Sequence, residues 1–157
     1  MNPQAWFAVG ALCLWSAADW CRTHMEAGTK ASVLVVSQAG RDQAMLRLIR
    51  EARTSVYLRT ERLTLVPASN ELVLAIQRKA SVTVDLPLGP GCDAEGARLP
   101  RLLMEQGAVV TFRSDPGAND RGTFLVVDGN QFLYSATPLT LSMPGAQVSY
   151  VIGKLSK

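Results

Sequence analysis

The fold is decided by Arg121-Gly-Thr-Phe-Leu-Val-Val-Asp128 and the nearby Tyr134-Ser-Ala-Thr137. Residues 123–127 and 131–135 have the apolar composition of two β-strands. Between them, Asp128-Gly-Asn130 is a strong hairpin signal, because these residue types accept the backbone conformations of tight turns. The stretch therefore predicts a β-hairpin that carries polar side chains at its strand ends.

Short apolar runs alternate with amphipathic segments from Ser32 onward. The alternation, followed by the hairpin, predicts an α/β fold with a mixed β-sheet flanked by helices. Further strands are expected at residues 32–36, 55–58, 82–86, 109–112 and 147–152, and helices at residues 42–53, from Ser69 or Asn70 to Ala80, and at 97–106.

The composition is that of one globular domain. The chain has 157 residues, of which 48% are hydrophobic and 18% are charged, so it is long enough for one real core and does not read as disordered. We expect an N-terminal apolar segment over residues 1–31 and a folded domain over residues 32–157. The net charge of +3, supplied mostly by arginine, permits a phosphate-bearing partner without demanding one.

Residues 5–18 form an apolar run that has three interpretations. The run is shorter than the 20 or so residues that span a bilayer as a helix, and it fits the apolar core of a secretory signal better. However, Met1-Asn-Pro-Gln4 lacks the Lys or Arg that precedes such a core. Trp15 and Trp20 would suit a membrane anchor, and a helix packed on the domain is the third interpretation. Export or membrane association is favoured over a cytoplasmic location.

The sequence predicts no metal site and no cofactor. Cys13, Cys21 and Cys92 are too few and too unevenly spaced for a disulfide framework, and His24 adds no second ligand pair at zinc-like spacing. The loop Leu88-Gly-Pro-Gly91 lacks the glycine spacing of a dinucleotide-binding turn.

Over about residues 33–152 the chain resembles the phospholipase D superfamily, especially its small single-motif members of the bacterial endonuclease type. The signature of that family is H-x-K-x4-D, followed after a short strand by G-S-x-N. In this sequence Arg121 stands at the histidine position and Thr123 at the lysine position, while Asp128 is kept. In the second part Tyr134 replaces the glycine, Ser135 is kept, and Thr137 stands at the asparagine position.

The resemblance implies phosphodiester hydrolysis, a reaction that the residues at these motif positions cannot carry out. In the family, the histidine attacks phosphorus, the lysine neutralises charge on the phosphoryl oxygens, and a second histidine protonates the leaving oxygen. Arg121 cannot act as the nucleophile because a guanidinium group stays protonated, and Thr123 cannot supply a positive charge. The only histidine, His24, lies outside the matched region. The motif positions Arg121, Thr123 and Asp128 are therefore read as vestigial, and an enzyme is disfavoured.

Three functions remain open at this level. The first is a catalytically inactive phospholipase D-like domain, a pseudoenzyme, which binds phosphate, nucleic acid or phospholipid head groups or serves as an assembly module. Arg121, Ser135 and Thr137 are its candidate phosphate-binding residues, although Arg121 could equally pair with Asp128 or Asp120. The second is an active phosphodiesterase that uses non-standard residues. The third is a membrane-anchored structural subunit, attached through residues 5–18.

The resemblance also implies a partner, since single-motif members commonly complete their site by two-fold pairing. We expect a homodimer or a heterodimer with an active relative. In a homodimer two Arg121 side chains would approach each other, so a carboxylate or a bound anion would have to lie between them.

Overall fold

The computed structural model describes residues 30–87, 97–114, 122–137 and 147–154. These residues form, in chain order, β1 (Lys30–Ser37), α1 (Gln38–Glu51), β2 (Ser55–Thr60), α2 (Val66–Gln77), β3 (Ser81–Pro87), α3 (Arg98–Glu105), β4 (Val109–Arg113), β5 (Thr123–Val127), β6 (Gln131–Ser135) and β7 (Gln147–Lys154).

Several predictions from the sequence concern residues outside these ranges. They include the apolar run at residues 5–18, Arg121, Asp120, the three cysteines Cys13, Cys21 and Cys92, and His24.

The described strands form one mixed sheet in the order β1-β7-β6-β5-β2-β3-β4. The pairs β2–β3 and β3–β4 are parallel, whereas β2–β5, β5–β6, β6–β7 and β1–β7 are antiparallel. Parallel neighbours need a crossover connection, and α2 and α3 provide it between β2, β3 and β4. The predicted α/β class with a mixed sheet is confirmed.

The position of each strand in the sheet follows from its side-chain pattern. All five residues of β5 are buried, as expected for an apolar run with paired neighbours on both sides. In contrast, β2 alternates between fully buried Val56, Leu58 and Thr60 and the half-buried residues between them. The strand therefore presents one face to the core and a second, more polar face bearing Tyr57 and Arg59.

The main core lies between the helices and one face of the sheet. Met45 and Ile49 of α1, Leu72 of α2 and Leu103 of α3 are fully buried there. They belong to the same cluster as Leu58, Val84, Leu125 and Leu133 of the sheet. On the opposite face, a smaller set of side chains is also buried and lies outside this cluster: Phe124, Val126, Phe132 and Val151.

Two helices begin earlier than their apolar periodicity predicts. Helix α1 begins at Gln38 rather than Asp42, because the Ser37 side chain caps it by accepting a hydrogen bond from the Gly40 N–H at 3.1 Å. Helix α2 begins at Val66 rather than after Ser69, with a proline in its first turn and no side-chain cap. Proline is tolerated there since the first helical N–H groups have no partner within the helix.

Within the described ranges, no helix is long and apolar enough to cross a membrane.

Candidate functional site

Asp128 lies in the hairpin turn and holds it against the connection between α1 and β2. Its carboxylate accepts hydrogen bonds from the backbone N–H groups of Arg53, Thr54 and Ser55 at 2.8–3.1 Å, and from the Thr54 hydroxyl at 2.9 Å. Its own N–H donates to the Ser55 carbonyl at 2.8 Å. Asp128 has a φ of 52°, a left-handed conformation that Asp and Asn adopt more readily than most residues.

The hydrogen bonds to Asp128 favour its charged form. Burial raises the pKa of this carboxyl, but the donors from Ser55, Thr54 and Arg53 together outweigh burial and hold the pKa below its usual value. Asp128 is thus an ionised anchor for the turn.

Thr123 lies at the opposite end of β5 from Asp128. Five strand residues separate the two ends by roughly 16 Å, since each residue advances about 3.3 Å. At its own end, Thr123 is in register with Thr60 on β2 and Ser135 on β6. The structure therefore brings Thr123 and Ser135 together and does not bring Asp128 to them.

The side chains at this end form what we call the hydroxyl cluster: Thr60, Thr123, Ser135 and Thr137. The Thr60 and Thr123 hydroxyls are 3.2 Å apart, and those of Ser135 and Thr137 are 2.9 Å apart. Thr123 also donates to the Thr137 carbonyl at 3.0 Å, which joins the two pairs. Thr60, Thr123 and Ser135 have no exposed surface, whereas Thr137 is partly exposed. The cluster is closed, and Thr137 is its outer member.

A buried ion pair from α1 supports the cluster from the helix side. The Arg41 Nη1 donates to the Thr137 hydroxyl at 2.8 Å and to the Thr137 carbonyl at 3.0 Å. The Arg41 Nε donates to Asp42 Oδ1 at 2.8 Å, and Nη2 lies 2.7 Å from the same oxygen. The Arg41 side chain is completely buried. A buried guanidinium needs such a carboxylate, because an uncompensated charge in the interior is costly.

Gly122 allows the start of β5 to approach β6 closely. A Cβ atom at this position would lie 2.4 Å from the Ser135 carbonyl oxygen and 3.1 Å from Ala136, and the Gly122 φ of 119° is strained for other residues. The Gly122 carbonyl also accepts a hydrogen bond from the Glu61 N–H at 3.3 Å. This glycine therefore fixes the backbone directly before Thr123.

Sequence reasoning missed Thr60, Arg41 and Asp42 as members of this site. Arg41 had a detectable signal, since an arginine in the first turn of a helix is disfavoured by the helix dipole and needs a specific partner. Thr60 had none, because only the pairing of β2 with β5 places it beside Thr123.

The cluster can donate and accept hydrogen bonds, but its described side chains make a poor catalyst. A hydroxyl becomes a nucleophile only when a base removes its proton. The one carboxylate that the structure describes in contact with this network, Asp42, is held by the Arg41 guanidinium. Each hydroxyl has a single proton, so the protons of Thr60 and Thr123 are already shared among several acceptors.

No protein-family profile and no curated protein sequence matches the chain. Solved structures do match. A phospholipase D family member, Nuc from Salmonella typhimurium, superposes with a TM-score of 0.69 at 15% identity, over 80% of this chain and 84% of its own. NucT from Helicobacter pylori gives 0.67 at 12% identity, over 80% and 86%.

A larger protein contains the same fold. Phosphatidylserine synthase from Haemophilus influenzae superposes with a TM-score of 0.60 at 13% identity, over 82% of this chain but only 35% of its own. Together these likenesses show that the chain has the phospholipase D-like fold that its hairpin predicts.

Proposed function

We propose that this phospholipase D-like domain binds a phosphate-bearing ligand and does not hydrolyse it. The ligand class is a phosphodiester, as in a nucleic acid or a phospholipid head group. Retention of the fold supports the ligand class, since the structures it resembles include a phospholipase D family member and a phosphatidylserine synthase. The side chains at the motif positions support the absence of hydrolysis.

The observation that carries the proposal is the closed hydroxyl cluster. Thr123 stands at the position of the family's lysine, whose positively charged side chain would contact the phosphoryl oxygens. Its side chain is instead neutral, fully buried and bonded to Thr60 and to the Thr137 carbonyl. A group in this state can neither neutralise a developing negative charge nor move towards a substrate.

The nucleophile position leads to the same proposal. Arg121 stands where the family has its histidine, and an arginine stays protonated at any physiological pH. The loss of a nucleophile costs several orders of magnitude in rate even when the rest of a site is intact. An arginine at this position retains affinity for phosphate, because its planar donor pairs match phosphate oxygens.

Binding would occur at the outer side of the cluster. Thr137 is its partly exposed member, and Gly122, which follows Arg121 in the sequence, lies against the Ser135–Ala136 backbone. Arg121 and Thr137 would then contact one phosphate group, with Ser135 holding Thr137 in place through their 2.9 Å contact.

Two assays test the two parts of the proposal. Hydrolysis of a chromogenic diester, bis(p-nitrophenyl) phosphate, is compared between the purified wild type and the double variant Arg121→His with Thr123→Lys. We expect no turnover by the wild type. Turnover by the double variant would mean that the wild type lacks only the catalytic side chains and keeps the rest of the site. Wild-type turnover that disappears on Ser135→Ala would refute the non-hydrolytic part.

Binding is measured by fluorescence anisotropy of a labelled oligonucleotide over a range of salt concentrations. Phosphate contacts release counterions, so affinity should fall steeply with salt, and Arg121→Ala should reduce the slope by about one unit. Arg47→Ala on the exposed face of α1 is the matched control, with the slope expected to stay as in the wild type. An unchanged slope for Arg121→Ala would remove Arg121 from the contact.

A further inference from the structure

A second polar group lies on the opposite face of the sheet from the hydroxyl cluster. Arg59 precedes Thr60 on β2 and points to the other side, as alternate strand residues do. Across the sheet, Arg59 is in register with Asp85 on β3 and with Phe124 on β5. Asp85 is in register with Thr111 on β4. This row continues to Tyr134, which is the register partner of Phe124 on β6.

Asp85 organises the donors of this face. Its carboxylate accepts hydrogen bonds from the Tyr57 hydroxyl at 3.2 Å and from the Thr111 hydroxyl at 3.1 Å. The Arg113 Nε lies 2.9 Å from Asp85 Oδ2, and both side chains are largely buried, at 22% and 11% exposure. Asp85 therefore fixes the positions of Tyr57 and Arg113 around itself.

Arg59 brings a second guanidinium group to the same place. Burial lowers the pKa of Arg59, and repulsion by the Arg113 charge lowers it further, against the opposing effects of Tyr57, Asp85 and Tyr134. Arg59 is the register partner of Asp85, and Asp85 holds Arg113, so both arginines belong to one partly buried polar patch in which their like charges repel. A bound anion between them would relieve this repulsion.

The location is one where α/β sheets bind ligands. Arg59 is near the carboxyl end of β2, and Arg113 is the last residue of β4, so both lie at the carboxyl edge of the parallel part of the sheet. Ligands of open α/β sheets bind outside this edge. The half-buried Tyr57 and Tyr134 beside the arginines add aromatic surface, and Tyr134 also offers a hydroxyl donor.

We propose that Arg59 and Arg113, with the Tyr134 hydroxyl, form a binding site for a phosphate group on this face. Two planar guanidinium forks suit the several oxygens of a phosphate, whereas a carboxylate would satisfy only one fork. The site uses none of the candidate phosphate-binding residues Arg121, Ser135 and Thr137, so it goes beyond the proposed function and stands whether or not the domain hydrolyses a diester. The phosphate belongs either to free inorganic phosphate or to a nucleotide whose base stacks on a tyrosine.

Calorimetric titration of the purified full chain with inorganic phosphate, in a chloride buffer, tests the site. We expect wild-type binding in the millimolar range or tighter, and a loss of about tenfold or more for Arg59→Gln and for Arg113→Gln, as charge-assisted hydrogen bonds are removed. Arg47→Gln removes the same charge from the exposed face of α1 and should bind within about twofold of the wild type.

Since Arg113 pairs with Asp85, Arg113→Gln could fail to fold, which circular dichroism detects. Arg59→Lys then supplies a second test, because lysine keeps the charge but loses the planar fork and should weaken binding by roughly threefold or more. Absence of wild-type binding, or equal effects of Arg59→Gln and Arg47→Gln, would overturn the proposal.

A parallel titration with adenosine 5′-monophosphate identifies the source of the phosphate. Tighter binding than inorganic phosphate, lost on Tyr134→Ala, supports a nucleotide, and equal binding supports free phosphate. If oligonucleotide binding persists while both small ligands fail, this site is refuted and the proposed function is not.

Discussion

Replacement of Asp128 with alanine should destabilise the whole fold while leaving the hydroxyl cluster chemically intact. The change removes the acceptor for the backbone N–H groups of residues 53–55 and for the Thr54 hydroxyl. Alanine is also strained at the φ of 52° that Asp128 adopts. The perturbation thus separates the role of this motif residue in the turn from any role in ligand chemistry.

The magnitude follows from those contacts. A hydrogen bond to a charged acceptor contributes about 1.5–3 kcal/mol, but Arg53 and Thr54 are exposed, so water replaces part of what their N–H groups lose. The left-handed conformation adds about 1 kcal/mol for alanine. We therefore expect a loss of roughly 3 kcal/mol in the free energy of unfolding, or a fall of about 10 °C in Tm.

Urea unfolding of the wild type, Asp128→Ala and Asp128→Asn measures this loss. Asparagine keeps one acceptor oxygen and tolerates the turn conformation, so its loss should be only about 1–2 kcal/mol. If alanine costs less than about 1 kcal/mol, or if asparagine costs as much as alanine, the anchoring role is refuted.

The pH dependence supplies an independent check on the same carboxylate. Its folded pKa lies below its unfolded value of about 3.9, so its ionisation stabilises the fold fully above that value. This contribution is lost as pH falls through the folded pKa. The stability difference between the wild type and Asp128→Asn should therefore shrink below about pH 4, and a constant difference would contradict the assignment.

Two further predictions concern the site end of the hairpin. Gly122→Ala should lower Tm by about 6 °C or more, because the added Cβ would lie 2.4 Å from a backbone carbonyl oxygen of β6. At Gly129 the added Cβ has open space, so Gly129→Ala should lower Tm only through the strain of its positive φ. Thermal unfolding followed by circular dichroism compares the two, and equal losses would refute the close-approach argument. Arg41→Gln should lower the free energy of unfolding in urea by about 3 kcal/mol or more, since the buried Asp42 carboxylate loses the guanidinium group that pairs with it. Adding Asp42→Asn to this variant should restore at least half of the lost stability. Additive losses in this double variant would show that the two residues act independently.

The strands were more predictable than the helix starts. The apolar composition of residues 123–127 is enough to predict a buried strand. The residue types of Asp128-Gly-Asn130 are likewise enough to predict the turn that follows it. The start of α2 was not visible, since Leu65 caps it without a side-chain hydrogen bond and the following Val66-Pro67 looks like a loop. Periodicity detects the buried face of a helix by its large apolar residues, and the first turn of α2 brings only the small Ala68 and Ser69 to that face.

The site was predictable only as far as the hairpin itself extends. Thr123, Ser135 and Thr137 meet because β5 and β6 are joined by a tight turn, so their register follows from the turn. Arg41 reaches Thr137 from 96 residues away, and Thr60 reaches Thr123 from 63 residues away. Contacts of this kind depend on the strand order, which side-chain patterns along one sequence do not specify.

The pairing of β1 with β7 has a consequence for how this chain reaches its structure. The two strands match along their full length, from Lys30 opposite Lys154 to Ser37 opposite Gln147, so the first described strand finds its hydrogen-bond partner only in the last. Contacts between such distant residues slow folding, because a long loop must close before they form. Until the ribosome has added β7, β1 lacks the partner that it has in the described sheet, although β2, β3 and β4 can already assemble with α2 and α3. The sheet can be completed only once β7 has been synthesised, and until then β1 is open to pairing with wrong partners.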